Sequence, residues 1–257
     1  MRTIWSGCFP AIILLFCLFF FTMGTAFSSP FTPVDAIILD AGHGGHDPGA
    51  VSVWDDVTYY EKDIVLDIVL RMKAILGQRA PDLNVILTRD SDVFVSLEER
   101  AGIAVDSVSS GGASGGTGTI FVSLHVNSAR SASAQGYEIL IKQADRKVTF
   151  LDEKSPLSAI KRWSSYKGSV LNTELNKENK SLASSVRASL ATFFPAGRDR
   201  GIIERDIYVL NYSRMPSVLV EMGFLSNKDD AWNLRDGEWR QKMAAAIVSG
   251  LLAYRFL

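Results

Sequence analysis

The apolar positions of this chain fall into two kinds of run, and their periodicities predict strands alternating with helices. Ala36–Leu39, Leu83–Thr88, Ile120–Leu124, Gly136–Ile141 and Ser217–Val220 are short and mostly apolar, with no polar alternation. That pattern suits strands covered on both faces. Tyr60–Leu76 instead repeats at spacings of three and four: Ile64, Val65, Ile68, Met72, Ile75 and Leu76 form one stripe, with Asp63, Asp67 and Arg71 four apart on the other side. Ser96-Leu97-Glu98-Glu99 has capping-box spacing and predicts a short helix through about Val105. Ser155-Pro156 predicts a helix start followed by Leu157, Ile160 and Trp163. Asn172–Lys180 is polar and charged, Ser181–Phe194 is amphipathic, and Asp236 caps a final helix burying Met243, Ile247, Leu251 and Tyr254. Ser109–Thr119, rich in Gly and Ser, reads as a surface loop. The alternation predicts an α/β fold: a mostly parallel, twisted central sheet of about six strands with helices on both faces.

Residues 1–26 have a different character. Arg2 precedes a near-continuous apolar run from Ala11 to Phe21, and Gly24-Thr25-Ala26 is a small-residue cleavage signal. This reads as a secretory signal peptide cut near Ala26, which implies export to the periplasm or cell-wall space and no stable membrane span after processing. The competing reading is an uncleaved anchor, since Ala11–Phe27 approaches the length needed to cross a bilayer. A linker, 27–35, then leads into a single domain, 36–257. The overall composition, 47% hydrophobic and 21% charged, is that of an ordinary globular protein. A net charge of -1 without a basic run excludes nucleic acid as an expected partner. Both cysteines, Cys8 and Cys17, lie in the leader, so the mature chain has no disulfide, no thiolate ligand and no cysteine nucleophile. Any metal must be held by His, Asp or Glu.

Only three histidines occur, and two of them, His43 and His46, share the glycine-rich turn that follows the first strand. In open α/β sheets, sites gather at the carboxyl ends of strands. His43 follows one such end, while His125 and Glu221 terminate two others. Glu61 lies on the apolar side of its helix, in the first turn. It is either paired or metal-bound there, or simply a glutamate favoured by the helix dipole. Two histidines and a carboxylate with an open position form a catalytic zinc set. A further carboxylate can move the proton.

Four segments carry a resemblance. Asp40-Ala41-Gly42-His43-Gly44-Gly45-His46-Asp47-Pro48-Gly49-Ala50, Glu61-Lys62, Ser123-Leu124-His125-Val126-Asn127-Ser128 and Pro216–Asn227 resemble, in order, the motifs of the zinc-dependent N-acetylmuramoyl-L-alanine amidases. The resemblance implies that His43, Glu61 and His125 bind Zn²⁺ and that Glu221 is the catalytic carboxylate. It implies peptidoglycan as substrate, with hydrolysis of the amide between N-acetylmuramic acid and L-alanine. It gives His46 no role. Arg89, Asp92 and Arg100 match a region of similar charge in that family, and read either as substrate-binding or as a surface ion-pair cluster. Asn127 reads as orienting the His125 loop.

The chain departs from the family at Ser109–Thr119 and at an insertion of about 144–180. In some relatives an insertion near the latter carries a helix that blocks the zinc until an activator protein displaces it. Leu157, Ile160 and Trp163 would be its docking face here, with Glu153, Glu174 or Glu178 reaching the metal. The simpler reading is an amphipathic surface helix packed on the domain. Two alternatives remain for the whole chain: a non-catalytic peptidoglycan-binding protein with the same fold, and a two-carboxylate glycosidase. The ligand set is checked by metal analysis of His46→Ala, which should retain stoichiometric zinc; loss of zinc would show that the set is wrong.

Overall fold

The apolar run ahead of the glycine-rich turn forms the middle of β1 (Val34–Ala41), in which every residue but Asp35 is buried. The computed structural model describes residues 29–31, 33–109, 118–153, 155 and 157–256. The leader and most of the Ser109–Thr119 loop lie outside the described residues. After β1 come β2 (Val51–Trp54), β3 (Val57–Tyr60), α1 (Glu61–Arg79), β4 (Asn84–Leu87), α2 (Leu97–Ser109), β5 (Gly118–Asn127) and β6 (Tyr137–Lys142). They are followed by α3 (Leu157–Trp163), α4 (Gly168–Phe193), β7 (Asp199–Arg205), α5 (Tyr208–Tyr212), β8 (Ser217–Phe224), α6 (Lys228–Arg235) and α7 (Gly237–Arg255). No helix among the described residues is long and apolar enough to cross a membrane.

The main sheet has six strands in the order β4-β1-β5-β8-β6-β7. The first four are mutually parallel; β6 runs antiparallel to β8, and β7 runs parallel to β6. Successive side chains alternate between the two faces. Ile37, Leu39, Ile120, Val122, Val218 and Val220 pack with residues of α1, α4, α6 and α7. Ile38, Phe121, Leu140 and Leu219 pack with α5 and with Ile103 of α2. The predicted layers, mostly parallel sheet and strand count are those observed.

Two elements carried weaker signals. The β2–β3 hairpin turns at Asp55-Asp56, both at positive φ, as a two-residue hairpin turn of this hand requires. The edge strand β7 contributes only Ile202 and Ile203 between charged ends, too little for an apolar run to show.

The polar stretch 172–180 is not a break before a helix but the first half of α4. Leu171, Leu175, Asn179, Leu182, Val186 and Leu190 are buried at spacings of three and four, each separated by polar residues that face outward. Leu171 and Leu175 join a small second core with Phe31, Val148, Phe150 and Trp163. The three aromatic rings of that core lie 5.3–6.0 Å apart. Burying each such side chain stabilises by roughly 1.5–3 kcal/mol, so this core holds the inserted segment to the residues just ahead of β1. On α3, Leu157 and Ile160 face solvent, Leu157 at 85% exposure. Glu178 accepts a hydrogen bond from the Tyr254 hydroxyl, Glu174 pairs with Lys177, and Glu153 lies in an exposed turn. None of the three glutamates joins the metal-ligand group described below.

Helices α4 and α7 cross at Gly250, where an added Cβ would lie 2.6 Å from Val186 Cα. Gly250→Ala should therefore force the helices apart and lower the unfolding free energy by about 1–3 kcal/mol, read as a reduced denaturant midpoint with an unchanged slope.

Candidate metal centre and active site

The centre is built on the turn after β1. His43 has φ 59°, a left-handed conformation uncommon for a residue with a Cβ. Something must hold it there, and two buried arginines do. Arg100 donates to the carbonyls of Ala41 and His43, both at 2.6 Å. Arg89 donates to Ala41 O at 3.0 Å, Gly42 O at 2.9 Å and Lys62 O at 2.8 Å. Arg100 also pairs with Asp40, whose carboxylate, 1% exposed, accepts hydrogen bonds from Thr88 Oγ1 at 2.7 Å and Ser123 Oγ at 2.6 Å. Arg89 and Arg100 are therefore not a surface ion-pair cluster: their guanidinium groups are spent on the backbone of the His43 turn. Asp92, the third member of that reading, is at the surface, where it accepts from Lys62 Nζ at 2.6 Å and Gly45 N at 2.8 Å.

Glycines leave room for the functional side chains. A Cβ at Gly42 would lie 2.4 Å from the His125 ring, and one at Gly49 would lie 2.6 Å from both Glu61 Oε2 and His43 Cδ2. Into that space β1, α1 and β5 bring three groups. Glu61 is the first residue of α1 and is 3% exposed. Its Oε1 accepts from Val126 N at 2.9 Å and lies 2.8 Å from His125 Nδ1 and 3.2 Å from His43 Nε2. Its Oε2 accepts from Ala50 N at 2.7 Å. The histidine rings stand edge to face, 4.9 Å apart. One ligand atom from each of His43, Glu61 and His125 lies within 4.8 Å of the others. Asp47 Oδ2, 2.8 Å from His43 Nδ1, fixes that ring so that Nε2 faces the cluster. Asp47 lay in the quoted motif, but no role was read from it.

The electrostatics fit a cation. Burial alone would raise the Glu61 carboxyl, but hydrogen bonds from His125 and His43 outweigh it and hold the carboxyl far below the usual range. Burial would lower both imidazoles, yet the Glu61 carboxylate raises each above its ordinary value. A buried carboxylate that two imidazoles neutralise in the absence of metal is a donor set suited to a divalent ion.

Glu221 is the cross-strand partner of His125 on β5 and of Glu138 on β6. Its side chain is half-buried, with Oε2 shut off from solvent and without a hydrogen-bond partner. Burial pushes its carboxyl up to about 7; His125 opposes this, and Glu61 and Glu138 add to it. Glu138 is buried, accepting from Arg200 Nε at 2.8 Å and Asn127 Nδ2 at 3.0 Å. Sequence reasoning passed over it, although a glutamate inside the apolar run Tyr137–Ile141 carried the same signal as Glu61. Asn127, expected to orient the His125 loop, tethers that loop to Glu138 and also accepts from Ser128 N at 2.8 Å. His46 stacks on Phe94, ring centroids 4.1 Å apart, and is not in the ligand group.

A family model described as N-acetylmuramoyl-L-alanine amidase matches residues 37–253. The chain belongs to this amidase family. It is 35% identical over 218 residues to the Bacillus subtilis protein YqiI, covering 85% of this chain and 84% of that protein. It is 31% identical to the N-acetylmuramoyl-L-alanine amidase LytC of B. subtilis, covering 86% of this chain but 35% of LytC. The amidase domain is thus shared with a relative that is much longer. The crystal structure of the N-acetylmuramoyl-L-alanine amidase from Clostridium difficile 630 superposes with a TM-score of 0.65 at 26% identity, covering 87% of this chain and 97% of that one. The CwlD amidase from Clostridioides difficile, solved in complex with the GerS lipoprotein, gives 0.64 at 28% identity over 86% of this chain and 98% of that one. The six-stranded, mostly parallel sheet is the fold of these amidases.

Because Arg100 ties Asp40 to the turn, Arg100→Ala leaves a buried carboxylate and two backbone carbonyls short of donors. The expected cost is about 3–5 kcal/mol of stability and roughly 10–100-fold in affinity for a divalent metal at the cluster, measured by denaturant titration and by competition with a chromophoric chelator.

Proposed function

We propose that this chain is a zinc-dependent amidase that cleaves the bond between the lactyl group of N-acetylmuramic acid and L-alanine in peptidoglycan. The observation that carries the reading is a three-ligand cluster within 4.8 Å, with a proton-competent carboxyl on the neighbouring strand. His43, Glu61 and His125 would hold the ion. When bound, zinc supplies Lewis acidity, polarising a carbonyl and acidifying water. The protein's own groups do the rest. The amides of Ala50 and Val126 hold Glu61 in place, and Asp47 holds His43. Glu221, on the strand beside His125, takes a proton from the attacking water through its carboxylate. As the C–N bond breaks it gives that proton to the L-alanine nitrogen, and the second proton of the water also ends on that nitrogen, leaving a lactyl carboxylate and an L-alanyl ammonium group. The oxygen of the water ends in the carboxylate.

A carboxyl held near neutrality opposite a ligand histidine favours this over a binding protein, which has no use for a group that exchanges protons. The reading places the enzyme outside the cytoplasm, in the periplasm or cell-wall space, after loss of the leader. The inserted segment 144–180 is where an activator protein would act; Leu157, Ile160, Tyr166 and Val170 are exposed apolar residues on it. Its role would be wall remodelling or cell separation.

Glu221→Ala should keep one zinc per chain and lose about 10²–10⁴-fold in turnover. Metal analysis with mass spectrometry of digested wall checks both. Free glycan reducing ends in place of released stem peptides would overturn the amidase reading.

A further inference from the structure

The cavity on the metal centre, bounded by His43, His125, Phe94 and Tyr208, has a volume of about 210 Å³. Sites that enclose a small-molecule ligand usually run from roughly 300 to 1,000 Å³. The cavity can take the scissile junction but not an oligopeptide, and a stem of three to five residues extends roughly 10–18 Å. A much larger cavity, about 1050 Å³, lies between α2, α5 and the residues after β6. Tyr208 lines both, and so does α2, with Leu97 and Arg100 in the first and Ala101 and Gly102 in the second. A further cavity of about 510 Å³ shares no lining residue with the metal-side one.

The large cavity has a particular chemistry. Arg146, Lys147 and Arg214 line it against two carboxylates, Asp206 and Asp152. Arg146 pairs with Asp206, and Arg214 with Asp152 at 2.7 Å. Among the described residues no carboxylate pairs with Lys147, which leaves one uncompensated positive charge. Asn211 donates to Asp206 through its amide nitrogen, which fixes that carboxylate in the cavity wall. Tyr208 and Tyr212 stack with centroids 4.4 Å apart, and Tyr212 is 56% exposed, so the wall towards the metal centre is aromatic.

Resting on the amidase reading above, we propose that this cavity is the subsite for the acidic stem peptide, with Lys147 and Arg146 binding its free carboxylates. The stem runs from the metal centre past Tyr208, which lines both cavities. Charge-assisted hydrogen bonds of this kind are the strong ones in a polar site, so the site discriminates acidic from amidated stems.

The test uses the full, zinc-loaded chain with Glu221→Ala to prevent turnover. Calorimetry compares N-acetylmuramoyl pentapeptide with the same compound carrying amides in place of its carboxylates. The acidic form should bind about 10-fold or more tightly. Lys147→Glu and Arg146→Glu, each tested separately, should abolish that preference. Equal affinities in the parent protein, or a preference that survives both charge reversals, would overturn the proposal. Failure of the amidase reading looks different: the otherwise wild-type chain releases no stem peptide from cell wall. A Lys147-dependent preference for the acidic peptide in that case would still support the subsite.

Discussion

The site depends on one buried ion pair. Asp40 and Arg100 are both almost wholly inside the protein, and each charge would be costly to bury alone. Together, and with Thr88, Ser123 and Arg89, they form a closed polar network in which the backbone carbonyls of residues 41–43 serve as acceptors. That use of charge is structural. The turn must leave β1 with His43 at positive φ and with glycines packed against the His43 and His125 rings; Gly44, Gly45 and Gly49 take their own positive φ readily, but the local sequence does not favour it at His43. Buried arginines satisfy the turn's carbonyls only in this shape, so the network selects it over the alternatives.

Glu61 is the second fixed point, and it couples parts of the chain that are distant in sequence. The β2–β3 hairpin returns the chain so that α1 begins beside the turn, with Glu61 N donating to Ala50 O at 2.9 Å. The carboxylate then reaches back to Ala50 N and across to Val126 N on β5. Helix start, hairpin and central strand are thereby registered against one another before any ion is present. An ion held by His43, Glu61 and His125 would not have to make their geometry, which would lower the ordering cost of binding it.

The layers of the fold were legible because buried strands and amphipathic helices have different periods, and most runs here are long enough to tell them apart. The elements that escaped were those in which few residues are buried: β7 with two isoleucines, the short hairpin, and the first half of α4, whose stripe is diluted by Lys177, Glu178 and Lys180. The same holds at the site. Strand ends and a resemblance pointed to His43, His125, Glu61 and Glu221. Arg89 and Arg100 were misplaced because charged residues near a strand end look exposed in sequence, whereas their burial depends on carbonyls supplied by a turn nearly fifty residues or more away. Glu138 was hidden by sheet direction, which a sequence does not state.

That direction bears on the chemistry. Because β6 runs against β8, its second residue lies beside the fifth residue of β8 at the end of the sheet where the parallel strands finish. A parallel β6 would bring the Lys142 end there instead, and a cation beside Glu221 would stabilise its ionised form. With Glu138 as neighbour, and with Arg200 donating to Glu138 and not to Glu221, burial is reinforced and Glu221 is held near neutrality. The unpartnered Oε2 completes the logic. A protein donor at that oxygen would lower the carboxyl's proton affinity. Leaving it unsatisfied costs roughly 1–3 kcal/mol of stability. The cost falls on Glu221, while Glu61 and Asp40 are each tied by several hydrogen bonds and His43 is held by Asp47.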